Sequence, residues 1–141
     1  MTNAAIPDTY LALFAELTPA RLDELDALCA PDIRFVDPFN DIEGVEAFKG
    51  VLRDMFDRLE EPRFHVMDRA AGAQAVYVRW HFTATLGRGR RLAIDGMSEL
   101  KVDTTGRVTA HADHWDAAGQ LYEQLPVVGR LMRWLRRRLA A

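Results

Sequence analysis

The hydrophobic period of this chain changes at Pro62, and that change restricts the fold more than any other feature. Before it, apolar residues recur at three- and four-residue intervals; after it, they alternate with polar ones. A chain that puts its helices first and its long strands second predicts an α+β fold, not alternating βα units. At 141 residues it has room for one domain, spanning 1–141. No repeat, low-complexity stretch or linker divides it.

The helical half reads from its punctuation. Pro7 suits a helix start, and Tyr10, Phe14 and Leu17 then share a stripe. Thr18-Pro19 predicts a cap and a first-turn proline, opening a second helix with Leu22, Leu25, Leu28 and Cys29 inward and Pro31 as its stop. The stretch "IRFVDPF" is a short strand ended by Asp37-Pro38. After Gly44 a third helix carries Val45, Phe48, Leu52, Met55, Phe56 and Leu59, and Pro62 closes it.

The second half predicts strands over 63–69, 74–86, 90–103 and 107–116. The links between them are short enough to make neighbours antiparallel. Asp116 reads as the N-cap of a short helix holding Leu121, Tyr122 and Leu125. Residues 127–139 predict a basic amphipathic helix. A strongly curved sheet wrapped on the N-terminal helices makes a cone with one open mouth.

Charge and cysteine content narrow the function. The net charge is −3, but the last segment carries five arginines and no acid, leaving residues 1–129 at −8. An acidic body argues against nucleic acid as a partner. The single cysteine, Cys29, forms no intramolecular disulfide and suits a reducing compartment. No secretory leader pattern or membrane-length apolar run is visible, so the expected location is cytoplasmic. The basic helix could lie on a membrane or pack on an acidic domain surface, and packing is the expectation.

The chemistry is concentrated in His111-Ala112-Asp113-His114-Trp115-Asp116. Alternation puts His111, Asp113 and Trp115 on one strand face and His114 on the other, so the two histidines diverge and no metal site is expected. His111 and Asp113, two apart on one face, are placed to pair.

The segments Leu22–Phe39 and Ile94–Val108, Gly44 with its helix, and the His111-x-Asp113-x-Trp115-Asp116 strand resemble the nuclear transport factor 2-like superfamily. Within it the chain is most similar to ketosteroid isomerases and SnoaL-like polyketide cyclases. The resemblance spans roughly residues 8–118 and implies a cystatin-like cone, with helices packed on the concave face of the sheet. Superfamily members include isomerases, cyclases, epoxide hydrolases, dehydratases and proteins without known catalysis.

Asp37 matches the general base that ketosteroid isomerases place in an Asp-Pro after the first strand, and Tyr10 matches their oxyanion tyrosine. Ser98 stands where those enzymes carry a protonated aspartate, which departs from their pattern. His111, Asp113 and Trp115 fall on cavity-facing positions, with Phe14, Phe56 and Ile94 as further pocket walls.

The resemblance implies a cofactor-independent isomerase or cyclase. It would move a proton through an enolate on a small, flat, apolar carbonyl compound, in a homodimer joined through the back of the sheet. The base is Asp37, or Asp113 paired with His111; Tyr10 and Ser98 would donate to the oxyanion. The alternatives are a non-catalytic binder of a small apolar ligand and an epoxide-hydrolase-like enzyme. The latter needs an arginine between carboxylates, and none is identified at a pocket position.

Overall fold

The computed structural model describes residues 4–122 and 125–140. Helix α1 (Asp8–Ala15) is followed by a 3-10 segment (Pro19–Glu24) that runs into the single turn of α2 (Leu25–Leu28). Strands β1 (Cys29–Val36) and β2 (Asp41–Glu43) come next, then the long helix α3 (Val45–Arg58). Four strands complete the sheet: β3 (Glu60–Ala71), β4 (Val76–Leu86), β5 (Arg90–Val102) and β6 (Val108–His114). The short α4 (Ala117–Gln120) and the basic α5 (Pro126–Leu139) end the described chain.

The six strands form one curved, unclosed sheet in the order β2-β1-β6-β5-β4-β3. From β3 to β6 it is an antiparallel meander, as the short links require. The β1–β6 pair is parallel and closes the order across the middle. On β4, Val76, Val78, Trp80, Phe82 and Ala84 are buried while Tyr77 and Arg79 face out. The α+β arrangement is thus the expected one, with α1 and α3 packed on the buried face.

Several boundaries differ from the sequence reading. The second helix is mostly 3-10 and ends at Leu28, and Pro31 lies inside β1. A proline without an N–H is tolerated there because the β1–β6 register slips between Cys29 and Arg34. Pro62 likewise sits in β3, where the register with β4 shifts between Glu60 and Arg63. The three residues of β2 are too few to show a period. Helix α4 stops before Leu121, so Leu121, Tyr122 and Leu125 follow it. Asp116 does cap it, its carboxylate accepting the Gly119 N–H at 2.9 Å.

Two features lock the helices and the sheet end. Lys49 of α3 is buried, and its ammonium meets Glu46 at 2.7 Å, Asp26 at 2.9 Å and Asp23 at 3.1 Å. Its pKa is raised above the ordinary lysine value, first by the Glu46 bond and then by that from Asp26. One cation thereby ties α3 to the 3-10/α2 segment. Beyond the end of β6, the Gln120 side chain accepts from Asp95 N–H at 2.6 Å and donates to Asp95 C=O at 2.9 Å, replacing the missing strand partner.

Candidate functional site

The concave side of the sheet and the inner faces of α1 and α3 enclose a cavity of about 650 Å³. That lies within the roughly 300–1,000 Å³ typical of small-molecule sites. Its walls are mostly apolar. Phe14, Phe35, Phe64, Phe82, Ile94 and Leu100 line it, with Phe39, Trp115 and Leu121. Phe39, half-exposed, meets the Trp115 ring edge-on at 5.7 Å between centroids.

Phe56 does not line the cavity. From α3 the lining residues are Val51, Leu52, Asp54, Met55 and Arg58, spaced three and four apart on one face, with Leu59 just past its end. Phe56 is one position, about 100°, past Met55. It packs half-buried against the core instead.

A continuous hydrogen-bonded chain crosses this apolar wall. The Trp80 indole N–H of β4 donates to Ser98 Oγ of β5 at 2.8 Å. Ser98 donates to Asp113 Oδ1 of β6 at 2.5 Å. His111 Nε2 meets the same Oδ1 at 2.7 Å, and Tyr10 of α1 meets His111 Nδ1 at 2.6 Å. Beside an ionised Asp113, His111 donates from Nε2, so in the neutral imidazole Nδ1 accepts the Tyr10 hydroxyl proton.

Strand register places this chain. Ser98 stands directly opposite Asp113, and Gly96 directly opposite Trp80. A Cβ at position 96 would overlap the Trp80 ring, so glycine is what lets the indole lie across β5 toward Ser98. His111 is 6% exposed and enclosed by aromatic rings, with Phe35, Phe14 and Phe48 at 5.3, 5.6 and 5.7 Å between centroids. Burial pushes the Tyr10 phenol well above its ordinary pKa, with Cys29 and Asp113 adding to the effect.

Asp113 is the one carboxylate in this chain, and both of its bonds fall on Oδ1. Among the described residues no buried side-chain polar atom lacks a partner. Asp113 Oδ2 carries no hydrogen bond and Asp113 lines the cavity, so Oδ2 is the oxygen open to it. The arrangement holds a carboxylate in place from behind and presents its free oxygen to an apolar space.

Asp37 is occupied differently. Its Oδ1 accepts the N–H groups of Phe39 at 2.8 Å and Asn40 at 2.6 Å, and the Asn40 amide reaches both its oxygens at 3.0 and 3.2 Å. This is the Asx turn that joins β1 to β2. Asp37 and Asn40 still line the cavity, as do Asp54 and Arg58 of α3. The reading of the sequence missed Arg58; its place four residues after Asp54 on the α3 face was the available signal.

Elsewhere, His114 is exposed on the opposite face from His111, and burial pushes the Cys29 thiol up to about 12. Among the described residues, no three His, Cys, Asp or Glu side chains are grouped to hold a metal ion.

Residues 10–111 match the family model described as a SnoaL-like domain. No curated protein matches the chain in sequence. Among solved structures, a protein with a ketosteroid isomerase-like fold from Catenulispora acidiphila superposes with TM-score 0.71 at 18% identity, covering 83% of this chain and 92% of that one. A putative SnoaL-like polyketide cyclase from Jannaschia gives TM-score 0.66 at 20% identity, covering 79% and 85%. An LEH-like epoxide hydrolase from M. tuberculosis gives 0.65 at 20%, covering 94% and 93%.

Proposed function

The chain belongs to the SnoaL-like domain family, and from that premise we propose that it is a cofactor-independent isomerase or cyclase. Its substrate is a flat, largely apolar carbonyl compound, and the reaction runs through an enolate. The observation that carries this reading is the Ser98–Asp113–His111–Tyr10 chain behind a carboxylate oxygen that faces an apolar cavity.

Asp113, not Asp37, is the general base. Its Oδ2 takes a proton from the carbon beside the substrate carbonyl, leaving an enolate and a neutral carboxyl group. The proton then returns to another carbon of the conjugated system in an isomerisation. In a ring closure, the enolate carbon attacks a second carbonyl and the new alkoxide takes the proton. Holding the base within reach of that carbon supplies much of the rate.

His111 and Ser98 fix the carboxylate. Tyr10 and Ser98 already give their hydroxyl protons to His111 and Asp113, so they are positioning residues and not direct oxyanion donors. The N–H groups left for a developing oxyanion are those of Asn40, whose amide has a second hydrogen, and Arg58. Trp115 and Phe39 give the substrate flat walls at the mouth.

Exchange of α-hydrogens tests this directly. In heavy water, a panel of flat ketones, including 2-tetralone and a β,γ-unsaturated ketosteroid, is followed by proton NMR with and without protein. Exchange above buffer is expected, and Asp113→Asn should reduce it by about 10²-fold or more. Asp37→Asn should retain it to within about threefold. Wild-type protein that exchanges nothing above buffer, or equal rates in wild type and Asp113→Asn, rejects the proposal.

Hydrolysis is the second reading, favoured by one observation: Arg58 joins Asp37, Asp54 and Asp113 in the lining. It would show as a diol formed from an apolar epoxide.

A further inference from the structure

The cavity has a neighbour at the end of β5 far from Ser98. A smaller pocket of about 230 Å³ opens there, and Leu86, Leu92 and Leu121 line both spaces. The wall is shared, but the chemistry differs. Arg90 and Arg91 line the smaller pocket, and among the described residues no acid does.

Strand register fixes where these cations stand. On β5, Leu92, Ile94, Ser98 and Leu100 face the cavity, and Arg90 continues that alternation to its lip. Arg90 pairs directly with Leu86. Arg91 pairs with Thr85, and the first acid along that row, Glu60, lies one strand further away on β3. Asp95, the nearest acid on β5 itself, is held by His81 at 2.8 Å. Among the described residues, neither the Arg90 nor the Arg91 guanidinium has a hydrogen bond or an ion pair.

Two unpaired arginines at the lip of an apolar cavity are suited to an anion, because guanidinium groups pair with carboxylate and phosphate oxygens in a fixed fork. On the reading that the cavity is the substrate site, we propose that Arg90 and Arg91 hold an acidic end group of the substrate while its carbonyl end lies at Asp113. Length then limits what fits. Eight residues of β5 separate Arg90 from Ser98, the partner of Asp113, which is about 26 Å of strand. The curvature of the sheet shortens that path, and the arginine side chain covers part of it. The remainder calls for an elongated molecule, apolar along its length, with a ketone at one end and a carboxylate or phosphate at the other. A single-ring ketone cannot touch both places.

Equilibrium binding tests this whether or not the cavity moves protons. Isothermal titration calorimetry compares each acid with its methyl ester. The long probe is 3-oxochol-4-en-24-oic acid, a steroid ketone with a carboxylate on its side chain; the short one is 4-oxo-4-phenylbutanoic acid. The long acid should bind about tenfold or more tighter than its ester, by a margin that shrinks with added salt. The short acid and its ester should bind alike. Arg90→Gln combined with Arg91→Gln should erase the preference for the long acid, leaving thermal unfolding and the affinity of the ester unchanged. The 24-phosphate of the same steroid should show the same dependence on both arginines, and whichever acid binds tighter names the end group.

A long acid that binds no tighter than its ester, or does not bind, overturns the proposal. So does a preference that survives in the double variant, or one that Arg58→Gln alone removes, because the anion would then sit on the cation of the main cavity. An equal preference for the short acid overturns the spacing on which it depends. The preference in a protein that exchanges no α-hydrogens would keep this subsite and reject only Asp113 as the base.

Discussion

Tyr10 is 1% exposed, and among the described residues its hydroxyl bonds His111 alone. Burial favours the neutral phenol in the folded state, so its pKa rises on folding. The stability linked to that shift is therefore complete below the unfolded value of about 10, and it is lost as the pH climbs toward the folded value. Lys49 has the same sign, so the informative quantity is the difference between wild type and Tyr10→Phe. Above about pH 10, wild type should lose stability more steeply than Tyr10→Phe in urea titrations. The Tyr10 phenolate absorbance should emerge only with unfolding; if it emerges in the folded protein, the burial argument fails. Near neutral pH, Tyr10→Phe should cost about 1–2 kcal/mol, because His111 Nδ1 loses its donor. Strand alternation alone was enough to put His111, Asp113 and Trp115 on one face. It did not reveal that Ser98 and Tyr10 spend their protons on Asp113 and His111, because that depends on cross-strand register and on how α1 lies against β6.

Strand β5 shows how an element can serve a site through a residue with no side chain. Gly96 interrupts a run of alternating side chains at the position where the Trp80 ring crosses. Gly96→Ala should displace the indole and break its bond to Ser98. The expected cost is about 1–3 kcal/mol in chemical denaturation, together with a fall in α-hydrogen exchange. Full exchange in a Gly96→Ala protein of unchanged stability would mean that the Trp80–Ser98 link is dispensable. The long elements were legible because their periods run through many residues: α3, β4 and β5 lie where the sequence predicts them. Pro31 and Pro62 misled because a proline reads as a stop, yet both sit where a ladder slips and no N–H is required. The parallel β1–β6 pair has no local signal at all. It joins segments more than seventy residues apart, so only the closed sheet creates it.

At the scale of the molecule, the decisive quantity is a volume that no residue states. The cavity is what remains when the curvature of the sheet exceeds what α1 and α3 can fill, which is why its apolar walls read in the sequence as ordinary core. Wall atoms beside about 650 Å³ of space lack packing partners on one side. A ligand of matching shape should therefore stabilise the fold by mass action, by about 2.7 kcal/mol at a hundredfold excess over its Kd. For a domain of this size that corresponds to a rise in Tm of roughly 5–10 °C. Ile94→Phe, which places a larger ring in the wall, should reduce the shift while keeping the fold. Leu135→Glu should leave it intact, since α5 contributes no lining residue. If the shift follows Leu135 and not Ile94, the apolar compound binds along α5 and the cavity is not the site. If it follows Ile94 but persists in Asp113→Asn, binding and proton transfer separate. The cavity then selects the ligand by shape, and Asp113 acts on what the walls have already chosen.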